Sequence, residues 1–283
     1  MSSFLEDLDR SVCYVAEIGL NHNGDLDLAR RMVDAARAAG ASVAKFQWFE
    51  PELFIEENAR LGEGPPGSLR AFFRQYAFRP EQWEALAGHC HDTGIGFACS
   101  VFDRSSLTDY LRLAPPFVKI ASCDITHSDL LHAVARSGLP VVLATGTASD
   151  IDIAAALTIL GPSRTVLLEC VSAYPAQPSS YRLGLLFDWR QKYMVRTGVS
   201  DHTMGLGVSV AAVALGGVLI ERHFTLDRSL PGADHAMSLI PAEFRQMVQL
   251  CEEARQSLRN GPRFPLPEEE GPRLYGHRAS YAR

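Results

Sequence analysis

The stretches VRTGVSDHTMG (residues 195–205) and VLIERHFTLDRSLPGADH (218–235) decide how the chain is read. Each opens as a short, apolar, β-branched run and stops at a polar knot holding a histidine, His202 in one and His223 in the other. Runs of this kind, ended by Gly or Asp and alternating with helical patterns, predict parallel strands. Neighbouring strands lie about 4.8 Å apart. Two such ends side by side would bring two imidazoles within reach of one divalent ion.

Outward from these stretches the same alternation covers most of the chain. Strands are predicted at 12–19, 42–49, 95–102, 116–122, 139–146 and 165–172, ahead of those at 195–201 and 218–224. Helical patterns separate them: LDLARRMVDAARAAG capped by Asp25, a helix from Pro80–Glu81 to Gly94, and one capped by Asp103. Others lie at 128–138, 150–160, 183–193, up to Leu215, and from Pro241 to Arg259. Eight strand–helix units in about 250 residues predict a (β/α)8 TIM barrel over residues 1–260. A doubly wound open sheet is the alternative. The closing segment, 261–283, is rich in Pro, Glu and Arg without periodicity and predicts an extended tail or linker.

Composition narrows the function classes. With 33 acidic and 27 basic side chains the formal charge is −6, and no Lys/Arg run offers a nucleic-acid or anionic-membrane surface. No apolar segment approaches the roughly 20 residues that span a bilayer. The N-terminal MSSFLEDLDR has neither the cationic nor the apolar region of a secretory leader, which predicts a cytoplasmic protein. Six cysteines without CxxC spacing read as structural thiols.

In such a barrel the chemistry sits at the C-terminal ends of the strands. The polar residues collected there are Glu17, Asn21, His22, Lys45, Gln47, Ser100, Asp103, Lys119, Ser122, Asp124, Thr145, Ser172, Tyr174, Ser200, Asp201, Glu221 and Asp234, beside the two histidines. Lys45 and Lys119 interrupt apolar strand interiors, where an ammonium costs several kcal/mol unless an anion meets it. That anion is either a structural partner, Glu17 or Glu221, or a bound phosphate or carboxylate assisted by Ser100, Ser122 and Ser200. His202 and His223 are either hydrogen-bonded core residues or metal ligands. The carboxylates around them (Asp201, Glu221, Asp234) favour a metal with open positions, of the kind that imidazole and oxygen ligands hold: Mn, Co, Fe or Zn. The residues by themselves indicate a metal-dependent enzyme acting on a small anionic substrate, with the reaction left open.

The blocks AEIGLNHNGD, AKFQ, FVKIASCD, LATGTAS, GVSDHTMG and ERHFTLDRSLPGADH, in that order, resemble the sialic acid synthases. These condense phosphoenolpyruvate (PEP) with an N-acetylated sugar to a 3-deoxy-2-ulosonic acid, releasing phosphate. The resemblance implies a transferase with a divalent ion, Mn²⁺ first and Co²⁺, Fe²⁺, Mg²⁺ or Zn²⁺ as alternatives, on His202 and His223. It implies PEP on Lys45, Lys119, Ser100, Ser122 and Ser200, and Gln47, Asp124, Ser172 and Tyr174 on the substrates or closing the pocket. Glu17 and Asp234 would handle protons, with Lys119 the catalytic cation. A homodimer is also implied, and the apolar AFFRQYAF (71–78) is expected to be either a lid or a dimer face.

Departures from the family pattern bear on the pocket. Ala144-Thr145-Gly146 stands where Ser-Thr-Gly is usual, Ser100 and Ser172 where Thr and Asn are common, and Cys123 where Gly is usual. Family members usually continue past HRASYAR into an antifreeze-like domain, here expected to be absent, so the sugar acceptor is left open. Two further expectations stand beside the first: a synthase that takes a phosphorylated aldose, like the octulosonate phosphate synthases, and a non-catalytic barrel that binds a sugar or a partner chain.

Overall fold

Each predicted strand forms. The computed structural model describes residues 4–258 and 261–276, and its eight strands close into one parallel barrel in sequence order. They are β1 (Cys13–Gly19), β2 (Val43–Trp48), β3 (Gly96–Val101), β4 (Val118–Ile120), β5 (Val141–Ala144), β6 (Thr165–Cys170), β7 (Arg196–Ser200) and β8 (Leu219–His223). Strand β8 pairs back onto β1, with Glu17 opposite His223 and Val15 opposite Glu221. Buried on both faces, the strands read as near-continuous apolar runs. Strand β1 is buried along its whole length.

Alternation along each strand divides the side chains between two cores. Tyr14, Ala16 and Ile18 face the helices, where Leu28, Met32, Val33 and Ala36 of the helix Leu26–Ala38 meet them at helical spacing. Asp25 caps that helix, accepting from the backbone N–H of Asp27 and Leu28. Asp103 likewise caps Arg104–Arg112 through the N–H of Ser106. Val15, Val43, Phe117, Val142, Val166 and Leu219 fill the lower barrel, with Phe4 of the short helix Phe4–Leu8 packed 4.7 Å from Phe117. The bottom of the barrel is therefore closed largely by apolar packing, with the polar layer of the site above it.

The connection after β2 contains the helices Pro51–Phe54 and Ser68–Arg74, and AFFRQYAF, expected as a lid or a dimer face, turns most of its aromatic rings inward. Tyr76 and Phe78 are buried, and Phe72 and Phe73 are half-buried in an aromatic cluster with Phe49, Phe54 and Phe102. Edge-to-face contacts such as Phe49–Phe73 at 5.3 Å fix that cluster over one side of the barrel mouth. The terminal segment is irregular over 261–266 but continues into a 3₁₀ turn, Pro267–Glu269, and a short helix, Glu270–Gly276. Among the described residues no helix is long and apolar enough to cross a membrane.

Candidate active site

Above the apolar plug each strand contributes one inward residue to a single layer: Glu17, Lys45, Ser100, Lys119, Ala144, Cys170, Ser200 and Glu221 in strand order. This layer floors a cavity of about 280 Å³ at the C-terminal mouth. Two positions further along their strands, on the same face, stand Gln47 and His223. His202, Ser122, Tyr174 and Asp234 arrive from the loops, and Leu20, Phe72, Phe73 and Phe102 build an apolar wall.

The layer is an ionic lattice. The ammonium of Lys45 sits 2.5 Å from Glu17 Oε2, 3.7 Å from Glu221 Oε2, and donates to Ser100 Oγ at 3.1 Å. Lys119 lies 3.8 Å from Glu221 Oε1 and donates to the backbone carbonyl of Ile120 at 3.2 Å. Glu221 thus stands between both lysines, and Ser200 Oγ donates to its Oε1 at 2.9 Å. All four charged groups are buried. Burial pushes the Lys119 amine down, with Glu221 only partly offsetting it. For Lys45 burial acts the same way, but Glu17 and Glu221 outweigh it and hold the amine above its ordinary range. Glu17 is raised by burial despite Lys45, whereas for Glu221 the desolvation is overcome by the two lysines and Ser200, leaving it lowered. The structural ion pair therefore accounts for Lys45. Lys119 has one loose carboxylate contact and capacity for a further anion.

The two imidazoles meet above this floor, their ring centroids 5.4 Å apart and the Tyr174 ring 4.3 Å from that of His202. His202 Nδ1 lies 2.7 Å from the Val171 carbonyl, an acceptor only, so this nitrogen carries the proton and Nε2 keeps its lone pair. Ser200, 3.3 Å from Nε2, spends its hydroxyl proton on Glu221. His223 Nδ1 is buried without a hydrogen-bond partner among the described residues, with Asp234 Oδ2 3.7 Å away. Burial lowers both imidazoles, that of His223 well below its ordinary value, so both are neutral at pH 7. One freed lone pair and one orphaned buried nitrogen fit a divalent ion held by two imidazoles. Among the described residues no group of three or more His, Cys, Asp or Glu converges as a metal cage, so most coordination positions would be open to substrate and water.

Most of the residues expected at the site meet there. Gln47 Nε2 donates to Glu17 Oε1 at 3.0 Å and so orients that carboxyl. Asp234 reaches the cavity wall, its carboxyl raised to about 6 by burial and by the charge of Glu17. Ser172 stands behind the wall: its hydroxyl is 3.2 Å from that of Ser122, and it borders a neighbouring groove with Thr145 and Arg182. Asp124 is not among the lining residues, because the 3₁₀ turn Ser122–Asp124 carries it toward His127, 3.6 Å away.

Asp201, expected to add negative charge beside the metal, serves the fold instead. It accepts from Arg222 at 2.6 Å, Ser209 at 2.6 Å and Thr203 at 2.8 Å. Its strand parity explains this: Ser200 faces inward, so the next residue faces the helices. Asp103 is likewise a helix cap, and Thr145 donates to the Leu168 carbonyl. The residue underrated in the sequence is Glu221, whose signal was its place two before His223 on one strand face.

A model of the NeuB family matches residues 32–263. The human N-acetylneuraminate-9-phosphate synthase is 34% identical over 268 residues, covering 91% of this chain and 74% of that protein. The N,N'-diacetyllegionaminic acid synthase of Legionella pneumophila is 32% identical over 271 residues, covering 91% and 76%. Among solved structures, the N-acetylneuraminic acid (sialic acid) synthetase of Leptospira borgpetersenii, crystallised with citrate, matches with a TM-score of 0.85 at 35% identity. That match covers 94% of this chain and 91% of the other.

Proposed function

The chain belongs to the NeuB family of carbon–carbon bond-forming synthases, and from that premise we propose that it condenses PEP with an aldose to a sialic-acid-type 3-deoxy-2-ulosonic acid, releasing phosphate. The observation that carries this reading is the pair of buried lysines bracketing Glu221 directly beneath two neutral histidines. One half of the cavity thereby offers two ammonium groups, held by carboxylates, together with several hydroxyls, and the other presents two imidazole nitrogens. An anionic donor and an aldehyde have opposite needs, and the two halves match them.

Lys45 and Lys119 would neutralise the carboxylate and phosphate of PEP, with Ser100 and Ser122 donating to its oxygens, and Ser200 would join them by turning its proton from Glu221 to PEP. A divalent metal, Mn²⁺ first, held by His202 and His223 would polarise the aldehyde oxygen as a Lewis acid. C3 of the enolpyruvyl group then bonds to the aldehyde carbon, whose oxygen takes up a proton. Water adds at C2, and the C2–O bond to phosphate breaks, so the bridging oxygen leaves with phosphate. Glu17, held by Gln47 and raised by burial, would take the proton of that water. Asp234, beside His223, would give the sugar oxygen its proton. Tyr174 and the wall of Phe72, Phe73 and Phe102 would exclude bulk water from the acceptor side.

The test is phosphate release from PEP with Mn²⁺ across a panel of free and phosphorylated aldoses. Release that needs an aldose supports the proposal, and no release with any aldose sinks it. Undiminished turnover by His202→Ala would remove the metal role. The same family premise supports action as a homodimer in the cytoplasm, which sedimentation and cell fractionation would check.

A further inference from the structure

The NHN segment after β1 takes no part in the chemistry proposed above, yet Asn21 and His22 are fully buried. The His22 ring packs 4.3 Å from that of Phe78, and its Nδ1 accepts from the Gly24 N–H. Asn21 and Asn23 are not explained by packing. Both reach the neighbouring loop that follows β8, the strand paired with β1.

That loop, 226–238, is closed at its base, where the Thr225 N–H donates to the Leu239 carbonyl at 3.0 Å and Leu239 N–H to the His223 carbonyl at 2.8 Å. Asn21 Nδ2 donates to the Phe224 carbonyl and to Ser238 Oγ, both at 2.9 Å. The carbonyl can only accept, which fixes the amide orientation, and the Asn21 donation in turn fixes the Ser238 hydroxyl. The Ser238 hydroxyl must therefore give its own proton onward, and it does so to the backbone carbonyl of Asp234 at 2.6 Å. On the outer side Asn23 Nδ2 donates to the Pro231 carbonyl at 2.8 Å and lies 3.3 Å from His235 Nε2.

We propose that Asn21, Ser238 and Asn23 are positioning residues: a two-point latch between the β1 and β8 loops that aims the Asp234 carboxyl into the cavity and so sets the affinity for the aldose. The inference rests on the function proposed above for Asp234. Its physical content is separate, because the latch holds a backbone carbonyl and a loop that make none of the contacts assigned to PEP. Displacing a positioned group by about 1 Å costs up to about 100-fold in rate. Losing the latch is accordingly expected to act on the aldose and to spare PEP.

The experiment compares wild type with Ser238→Ala and with Asn23→Gly, which tolerates the left-handed backbone of Asn23 at φ 53°. Expected for Ser238→Ala is a rise in KM for the aldose of about tenfold or more, with KM for PEP within about twofold. Hydrogen exchange across 226–238 should quicken in both variants while β1 and β8 stay protected. Equal changes in both KM values, or unchanged exchange in the loop, overturn the latch. Should wild type release no phosphate with any aldose, the proposed function falls, and loop exchange still decides the latch. If Ser238→Ala does not fold, Asn23→Gly decides it alone.

Discussion

Replacing Asp201 by Asn tests whether this carboxylate serves the fold or the metal site of the adjacent His202. Asp201 and Arg222 are 0% and 1% exposed, 2.6 Å apart, and the same carboxylate accepts from Ser209 and Thr203. In Asp201→Asn the shape survives but Arg222 keeps its charge in a site without a counter-charge. Breaking one side of a buried pair costs about 3–5 kcal/mol. The bonds from Ser209 and Thr203 belong to the same network and are not added to that figure. Against a total stability of about 5–15 kcal/mol the loss is large. At about 2–4 °C per kcal/mol, the melting temperature should fall by about 6–20 °C. Thermal melts by circular dichroism with chelator present would read it, and a double variant, Asp201→Leu with Arg222→Met, should recover much of the loss. His202→Ala should show the opposite pattern, with little change in melting and loss of Mn²⁺ affinity. An Asp201→Asn protein that melts like wild type and has lost Mn²⁺ affinity would refute the assignment of Asp201 to the fold.

The two lysines should differ on removal. Lys119→Met is expected to raise KM for PEP about 10- to 100-fold, the worth of one charged hydrogen bond, with a near-wild-type melt. Lys45→Met should also destabilise the protein, because Glu17 and Glu221 lose their shared cation; equal melts for the two variants would contradict this. A Cβ at Gly146 would stand 2.2 Å from Ser172 Oγ and 3.1 Å from Ser122 Oγ, so Gly146→Ala should weaken PEP binding while leaving the aldose KM unmoved, as steady-state kinetics would report. Asp234 can give a proton to the aldehyde oxygen only while it is protonated, and burial lifts its carboxyl to about 6. The value of kcat/KM should therefore fall as pH rises above about 6 and level off below it. A limb that persists in Asp234→Asn assigns it elsewhere, with Glu17 the next group to test.

The fold was legible because eight apolar runs of strand length alternate with helical patterns, and parallel strands buried on both sides leave that signature. Much of the site was legible for a related reason. Lys45, Lys119 and Glu221 are charges inside apolar strands, and period-two alternation carries Lys45 to Gln47 and Glu221 to His223 on one face. Alternation also puts Asp201 outside the barrel, since Ser200 before it faces inward. The loops were not legible. A 3₁₀ turn removes Asp124 from the cavity, and the packing of Phe72 and Phe73 depends on long-range contacts with Phe49 and Phe102 that no local pattern encodes. Likewise, nothing in NHNGD indicates that Asn21 reaches Ser238, a partner 217 positions away.

The most direct test of the account follows the bridging oxygen of PEP. PEP carrying oxygen-18 between C2 and phosphorus would be incubated with the protein, Mn²⁺ and each aldose of the panel, and phosphate and organic product analysed by mass spectrometry. The account predicts one phosphate per ulosonic acid formed, with the label in the phosphate and no turnover without aldose. Label retained in the organic product, or phosphate released at the same rate without aldose, would contradict it.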